Sequence, residues 1–206
     1  MSLDTSLGVI ELTEAICNIE SVSGNERALA DAIESVLLRA AHLEVIRDGD
    51  AIVARTNLGR ARRVVIAGHI DTVPVADNLP VSRRSIDGVD VLWGRGTVDM
   101  KAGVAVQLKL AVELDSPNVD VTWVFYDHEE VEASLNGLGR ISRNRPELLE
   151  ASFAVLCEPS SSQVEGGCSE GSLARGSPNL RESERVWSAS RALGEPKYAS
   201  NSRRRR

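Results

Sequence analysis

Three short apolar runs rich in β-branched residues, Val64 to Ala67, Val119 to Tyr126 and Phe153 to Cys157, each end within three residues of a histidine or a carboxylate. Runs of this length and composition read as buried strands of a parallel sheet. In an open α/β sheet the carboxyl ends of the strands face one crevice, so residues placed just beyond them meet although they are distant in sequence. The pattern therefore predicts a single polar site built from His69 and Asp71, Glu129 and Glu130, and Glu158. Asp99 joins it from the glycine-rich loop Gly94 to Gly103.

The intervening segments fit the same architecture. Val9, Leu12, Ile16 and Ile19 form a helical stripe, and Leu29, Ile33, Val36 and Leu37 form a second one, opened by Ser23 and Glu26 at capping-box spacing. Leu43 to Arg47 and Ala51 to Arg55 alternate around Asp48-Gly49-Asp50 and predict a hairpin. Asp87-Gly88 marks a turn between short strands within Ile86 to Trp93. Met100 to Leu114 has helical spacing, as does Asn136 to Leu149 with an interruption at Pro146. The alternation predicts an α/β fold, an open and mostly parallel sheet flanked by helices.

At 206 residues the chain has room for one ordinary domain and a small appendage. The net charge of −6 is unevenly spread: residues 1–168 carry 15 basic against 26 acidic side chains, and 169–206 carry 9 against 4. An acidic body predicts no nucleic-acid partner. Residues 169–206, rich in serine and arginine with no apolar period, are expected to be a disordered tail separate from a 1–168 domain. No run reaches the roughly 18 apolar residues of a membrane helix, and no leader-like N-terminal pattern is evident. The expectation is a cytoplasmic protein with no membrane partner.

Three cysteines, Cys17, Cys157 and Cys168, show neither CxxC spacing nor an even framework. Only His42, His69 and His128 are present, so a metal site would have to lean on carboxylates. His69 and Asp71, two apart on extended backbone, share a face. His69 could bind a metal while Asp71 orients the imidazole; the alternative is a capped strand end. Asp99 could bridge two cations roughly 3.5–4 Å apart, or serve only as a helix N-cap. Of Glu129 and Glu130, one could bind metal while the other acts as general base toward a water, or both could lie in a solvated acidic turn. Glu158, before Pro159, could be a further ligand or a surface residue. A serine hydrolase is not the expected reading.

Gly68-His69-Ile70-Asp71-Thr72-Val73-Pro74, the Gly94 to Gly103 loop, Glu129-Glu130 and Glu158-Pro159 resemble, in order and spacing, the signature blocks of the M20 metallopeptidases. The likeness spans about residues 8–168 and is nearest to members that remove succinate from N-succinyl-LL-diaminopimelate in lysine biosynthesis. It implies a zinc-peptidase-like catalytic domain and two divalent metal ions, zinc or cobalt. His69 and Glu158 would hold one ion, Glu130 the other, and Asp99 would bridge them. Glu129 would be the general base and Asp71 the support of His69. The implied substrate is a small N-acylated amino acid.

The family's pattern also includes a lid and dimerisation domain and a late histidine ligand, for which this sequence has no counterpart. The family is homodimeric, and the dimerisation domain is expected to be absent here. The expectation is thus a truncated catalytic domain whose segment beyond about residue 168 is out of frame or unrelated. A noncatalytic metal-binding fragment, and another family activity such as N-acyl-amino-acid deacylase or carboxypeptidase, are the alternatives.

Overall fold

The computed structural model describes residues 3–160. The predicted tail, 169–206, lies outside them, as does Cys168. Chain order is α1 (Val9–Cys17), α2 (Arg27–Leu37), β1 (Glu44–Asp48), β2 (Ala51–Arg55), β3 (Arg63–His69), β4 (Ser82–Ile86), β5 (Val89–Trp93), α3 (Lys101–Glu113), β6 (Asp120–Tyr126), α4 (Gly137–Asn144) and β7 (Phe153–Leu156). A short 3-10 turn, Pro146–Leu148, follows α4, where the proline was expected to interrupt the helix.

Five strands form the main sheet in the order β1-β2-β6-β3-β7. β3 pairs in parallel with both β6 and β7, while β2 runs antiparallel to β1 and to β6. Four of the five strands consequently point the same way, with β2 reversed by its hairpin. β6 is buried along its whole length, as a central strand covered on both faces must be.

Side-chain alternation along the strands divides the core into two layers. Ile52 and Ala54 of β2 and Val121, Trp123 and Phe125 of β6 pack with α1, α2 and α3. Their alternates Ala51, Val53, Val124 and Tyr126, with Val65 and Ala67 of β3, pack against Leu138 and Ile141 of α4 and Leu148. The sheet is therefore covered by three helices on one face and by α4 with its 3-10 extension on the other. Both layers fix the direction in which β3, β6 and β7 emerge.

Two local expectations are corrected. Val9 lies 38% exposed at the rim of α1, so the buried stripe there is Leu12, Thr13, Ile16 and Cys17. The capping box does not form: Glu26 itself occupies the N-cap position of α2 and makes no side-chain cap bond. The Ser23 hydroxyl instead donates to Asp71 Oδ2 at 2.6 Å, a charge-assisted bond. The β4–β5 hairpin turns at Asp87-Gly88, both with positive φ as a two-residue loop requires.

Candidate metal centre

His69 is the last residue of β3, and its ring is held from several sides. Its backbone N–H donates to Met100 Sδ at 3.3 Å, and Tyr126 of β6 stands edge-on with centroids 6.1 Å apart. Nδ1–H donates to the Asp71 backbone oxygen at 3.0 Å, with Asp71 Oδ1 at 3.4 Å. That arrangement directs Nε2 toward Asp99 Oδ1 at 3.0 Å and Glu158 Oε2 at 3.9 Å.

The close fit behind the histidine depends on two glycines. A Cβ on Gly68 would lie 2.8 Å from Gln107 Oε1 and from Met100 Cε, and one on Gly103 would lie 2.7 Å from the Cys157 oxygen. These glycines let α3 sit directly against the ends of β3 and β7, which brings Asp99 and Glu158 to the same ring.

Asp71 is fully buried and does more than support the imidazole. Its carboxylate accepts the Glu129 N–H at 3.0 Å and the Glu130 N–H at 3.1 Å, besides the Ser23 hydroxyl. Burial alone would raise its pKa, but these donors and His69 hold it down at about 2. It is a permanent anion that ties the exit of β3 to the exit of β6. Lys101, at the start of α3, is also buried: its Nζ donates to the Ile19 oxygen at 2.8 Å, and burial lowers its pKa to about 8. Sequence reasoning missed this lysine, because its neighbours in the helix give an ordinary apolar stripe with a charged residue at its edge.

Each candidate of the sequence reading is placed at this crevice. His69, Asp99 and Glu130 each offer one ligand atom, all within 4.8 Å of one another. Asp99 is not a helix cap, since the N-cap residue of α3 is Met100. Asp99 is about half exposed, its carboxylate open to the crevice. Glu129 and Glu130 are partly buried and have raised pKa values, burial being the main cause and Asp71 and Asp99 contributing against the pull of His69. Glu158 is pushed up to about 6 by burial first and then by Asp99, Glu129 and Glu130, against His69. Desolvation would lower the His69 pKa, but hydrogen bonds to Asp71 and Asp99 and the nearby carboxylate charges raise it to about 10.

Among the described residues no lysine or arginine forms an ion pair with Asp99, Glu129, Glu130 or Glu158; Asp99 and Glu158 instead face the His69 imidazole. Such concentrated negative charge, with oxygen donors and one imidazole at close range, is the donor set of a borderline divalent cation. The residues fit one.

Comparison with known proteins agrees with this geometry. Peptidase family M20/M25/M40 matches residues 65–195, a span that includes every candidate ligand. A Mycobacterium tuberculosis protein assigned as succinyl-diaminopimelate desuccinylase is 48% identical over 81% of this chain and 46% of its own length. The succinyl-diaminopimelate desuccinylase of Corynebacterium glutamicum is 46% identical over 77% of this chain and 43% of its own. The chain thus spans a little under half the length of these curated relatives. Among solved structures, the M20 family metallo-carboxypeptidase Sso-CP2 from Sulfolobus solfataricus superposes with a TM-score of 0.61 at 16% identity, over 77% of this chain and 40% of that one. That likeness is one of fold.

Proposed function

This chain belongs to peptidase family M20/M25/M40, and on that premise we propose that it is a metal-dependent amide hydrolase of the succinyl-diaminopimelate desuccinylase type. The observation that carries the reading is the convergence of His69, Asp99 and Glu130 within 4.8 Å, with Glu129 beside them on the same turn. The identity to desuccinylases supports the substrate class, a small N-succinylated amino acid.

In this reading His69, Asp99, Glu130 and Glu158 would hold two divalent ions, His69 and Glu158 serving one, Glu130 the other, and Asp99 both. When bound, zinc or cobalt ions would supply Lewis acidity toward the scissile carbonyl and lower the pKa of a water. Glu129 accepts the proton of the attacking water as its oxygen adds to the amide carbon. It then returns that proton to the departing amine as the C–N bond breaks, leaving succinate and diaminopimelate. Burial raises its pKa above the ordinary carboxylate value, the direction that favours taking up a proton. Asp71 keeps the imidazole oriented and fixes the backbone that presents Glu129 and Glu130.

The test is succinate release from N-succinyl-LL-diaminopimelate by the purified chain supplied with zinc or cobalt. Glu129→Gln should lower turnover by about 10²–10⁴-fold while still binding metal. Turnover of a different N-acylated amino acid or of a peptide would assign another activity within the family. A folded, metal-loaded chain that hydrolyses none of them would be a metal-binding module without catalysis.

A further inference from the structure

Glu26 lies immediately before α2 and is fully buried. Its Oε1 accepts the backbone N–H of Gly24 at 3.0 Å and that of His128 at 3.2 Å, and stands 3.4 Å from His128 Nδ1. Its Oε2 is buried with no hydrogen-bond partner. A buried carboxyl group with an orphan oxygen is costly, and an apolar side chain would fill the same space with less penalty. The acceptor oxygen is what this glutamate contributes that an apolar residue would not.

That oxygen acts on an unusual piece of backbone. His128 has a φ of 58°, in the left-handed region that side-chain-bearing residues seldom enter. The next two N–H groups, of Glu129 and Glu130, go to Asp71. Three successive amides beyond β6 are therefore held by two buried carboxyl groups, one in the α1–α2 connection and one at the exit of β3. On the preceding residue, Asp127 Oδ1 accepts from Arg140 Nη2 at 2.8 Å, and Arg140 Nε donates to Asp48 Oδ1 at the tip of the β1–β2 hairpin. The α1–α2 connection also holds Asp71 itself through Ser23, and Ser21 Oγ donates to the Ile70 oxygen at 2.6 Å.

We propose that Glu26 is a positioning residue for the Glu129–Glu130 pair: by accepting the His128 N–H it holds the left-handed kink that aims the two following side chains at His69 and Asp99. The proposal rests on the metal-centre reading above. The contacts of Glu26 are with Gly24 and His128, so its influence on the site passes through the turn.

The experiment measures amide hydrogen exchange by NMR on the metal-free chain, comparing wild type with Glu26→Met, which removes the acceptor at similar length, and Glu26→Gln, which keeps it. In Glu26→Met the amides of residues 128–130 should exchange about tenfold faster or more, the factor expected when a hydrogen bond of ordinary strength is lost. Amides of Ala67 and Val124 in the sheet should not change, and Glu26→Gln should stay near wild type throughout. Cobalt affinity, followed by visible absorption, should fall about 10–100-fold in Glu26→Met alone. Unchanged exchange at 128–130 in folded Glu26→Met, or equal acceleration in Glu26→Gln, overturns the proposal. If Glu26→Met does not melt cooperatively, Glu26→Ala carries the same expectations. A wild type that binds no cobalt overturns the metal reading, whereas the exchange comparison, made without metal, still decides the role of Glu26.

Discussion

Asp71 Oδ1 accepts the backbone N–H of Glu129 at 3.0 Å, across 58 positions of sequence. The carboxylate that lies 3.4 Å from His69 Nδ1 thus also fixes the turn bearing the proposed base. Asp71→Asn places an amide NH₂ where one of the Glu129, Glu130 and Ser23 donors now points, and removes the charge that strengthens the remaining bonds. Metal affinity should fall about 10–100-fold, and the metal-free chain should lose about 2–3 kcal/mol of stability. Metal titration and urea unfolding of the two proteins check both values; an unchanged affinity would show that Asp71 does not hold the ligands in place.

Metal should stabilise the fold, because His69, Asp99, Glu130 and Glu158 come from three strand ends and a loop that meet only when folded. At free zinc near 100 times Kd the gain is about 2.7 kcal/mol, which for a chain of this size raises Tm by roughly 5–10 °C. Adding a chelator should return Tm to the metal-free value. His69→Ala, by removing the one imidazole of the set, should abolish the zinc-dependent shift. A full shift in that variant would mean that zinc binds elsewhere.

Gly68→Ala tests the close approach behind the histidine. The new methyl would press on Gln107 and Met100, the residue next to Asp99 and the acceptor of the His69 N–H. Overpacking of this kind costs about 1–3 kcal/mol. Denaturant unfolding should show the loss, and metal affinity should decline with it as the His69–Asp99 distance opens. A variant within about 0.5 kcal/mol of wild type, the range of an ordinary surface substitution, would mean that the helix shifts freely at this point.

Much of this arrangement was legible from local pattern. The burial of β6 follows largely from its apolar residues Val121, Trp123, Val124, Phe125 and Tyr126, and Asp87-Gly88 announced its hairpin, although the β4 half, Ser82 to Ile86, carries two arginines and was foreseen only at its last residue. The i, i+2 spacing of His69 and Asp71 foretold their contact. The contacts of Asp71 with Glu129 and Glu130 were not legible, because they depend on how the chain leaves β6, and that is set at His128 by a backbone conformation with only a faint residue preference. The apparent capping box failed for the same kind of reason. Ser23 and Glu26 have the right spacing, but each found a stronger long-range role, Ser23 on Asp71 and Glu26 on His128.

Asp120 offers a pH-dependent test remote from the metal centre. At the start of β6 its carboxylate accepts the N–H groups of Leu58 and Arg60 and the Thr56 hydroxyl, each at 2.8 Å, so it pins the β2–β3 connection to the central strand. Burial acts to raise its pKa, but these donors and the Arg63 charge outweigh it and hold the group below its ordinary value of 3.8. An acid with a depressed folded-state pKa stabilises the fold above the unfolded pKa and loses that contribution as pH falls through the folded one. Asp120→Asn should therefore cost about 1.5–3 kcal/mol at pH 7, and its deficit relative to wild type should shrink as pH is lowered below about 4. Urea unfolding of both proteins at pH 7 and at pH 3 measures the gap. A gap of constant size would assign the loss to altered packing or bond geometry rather than to the carboxylate charge.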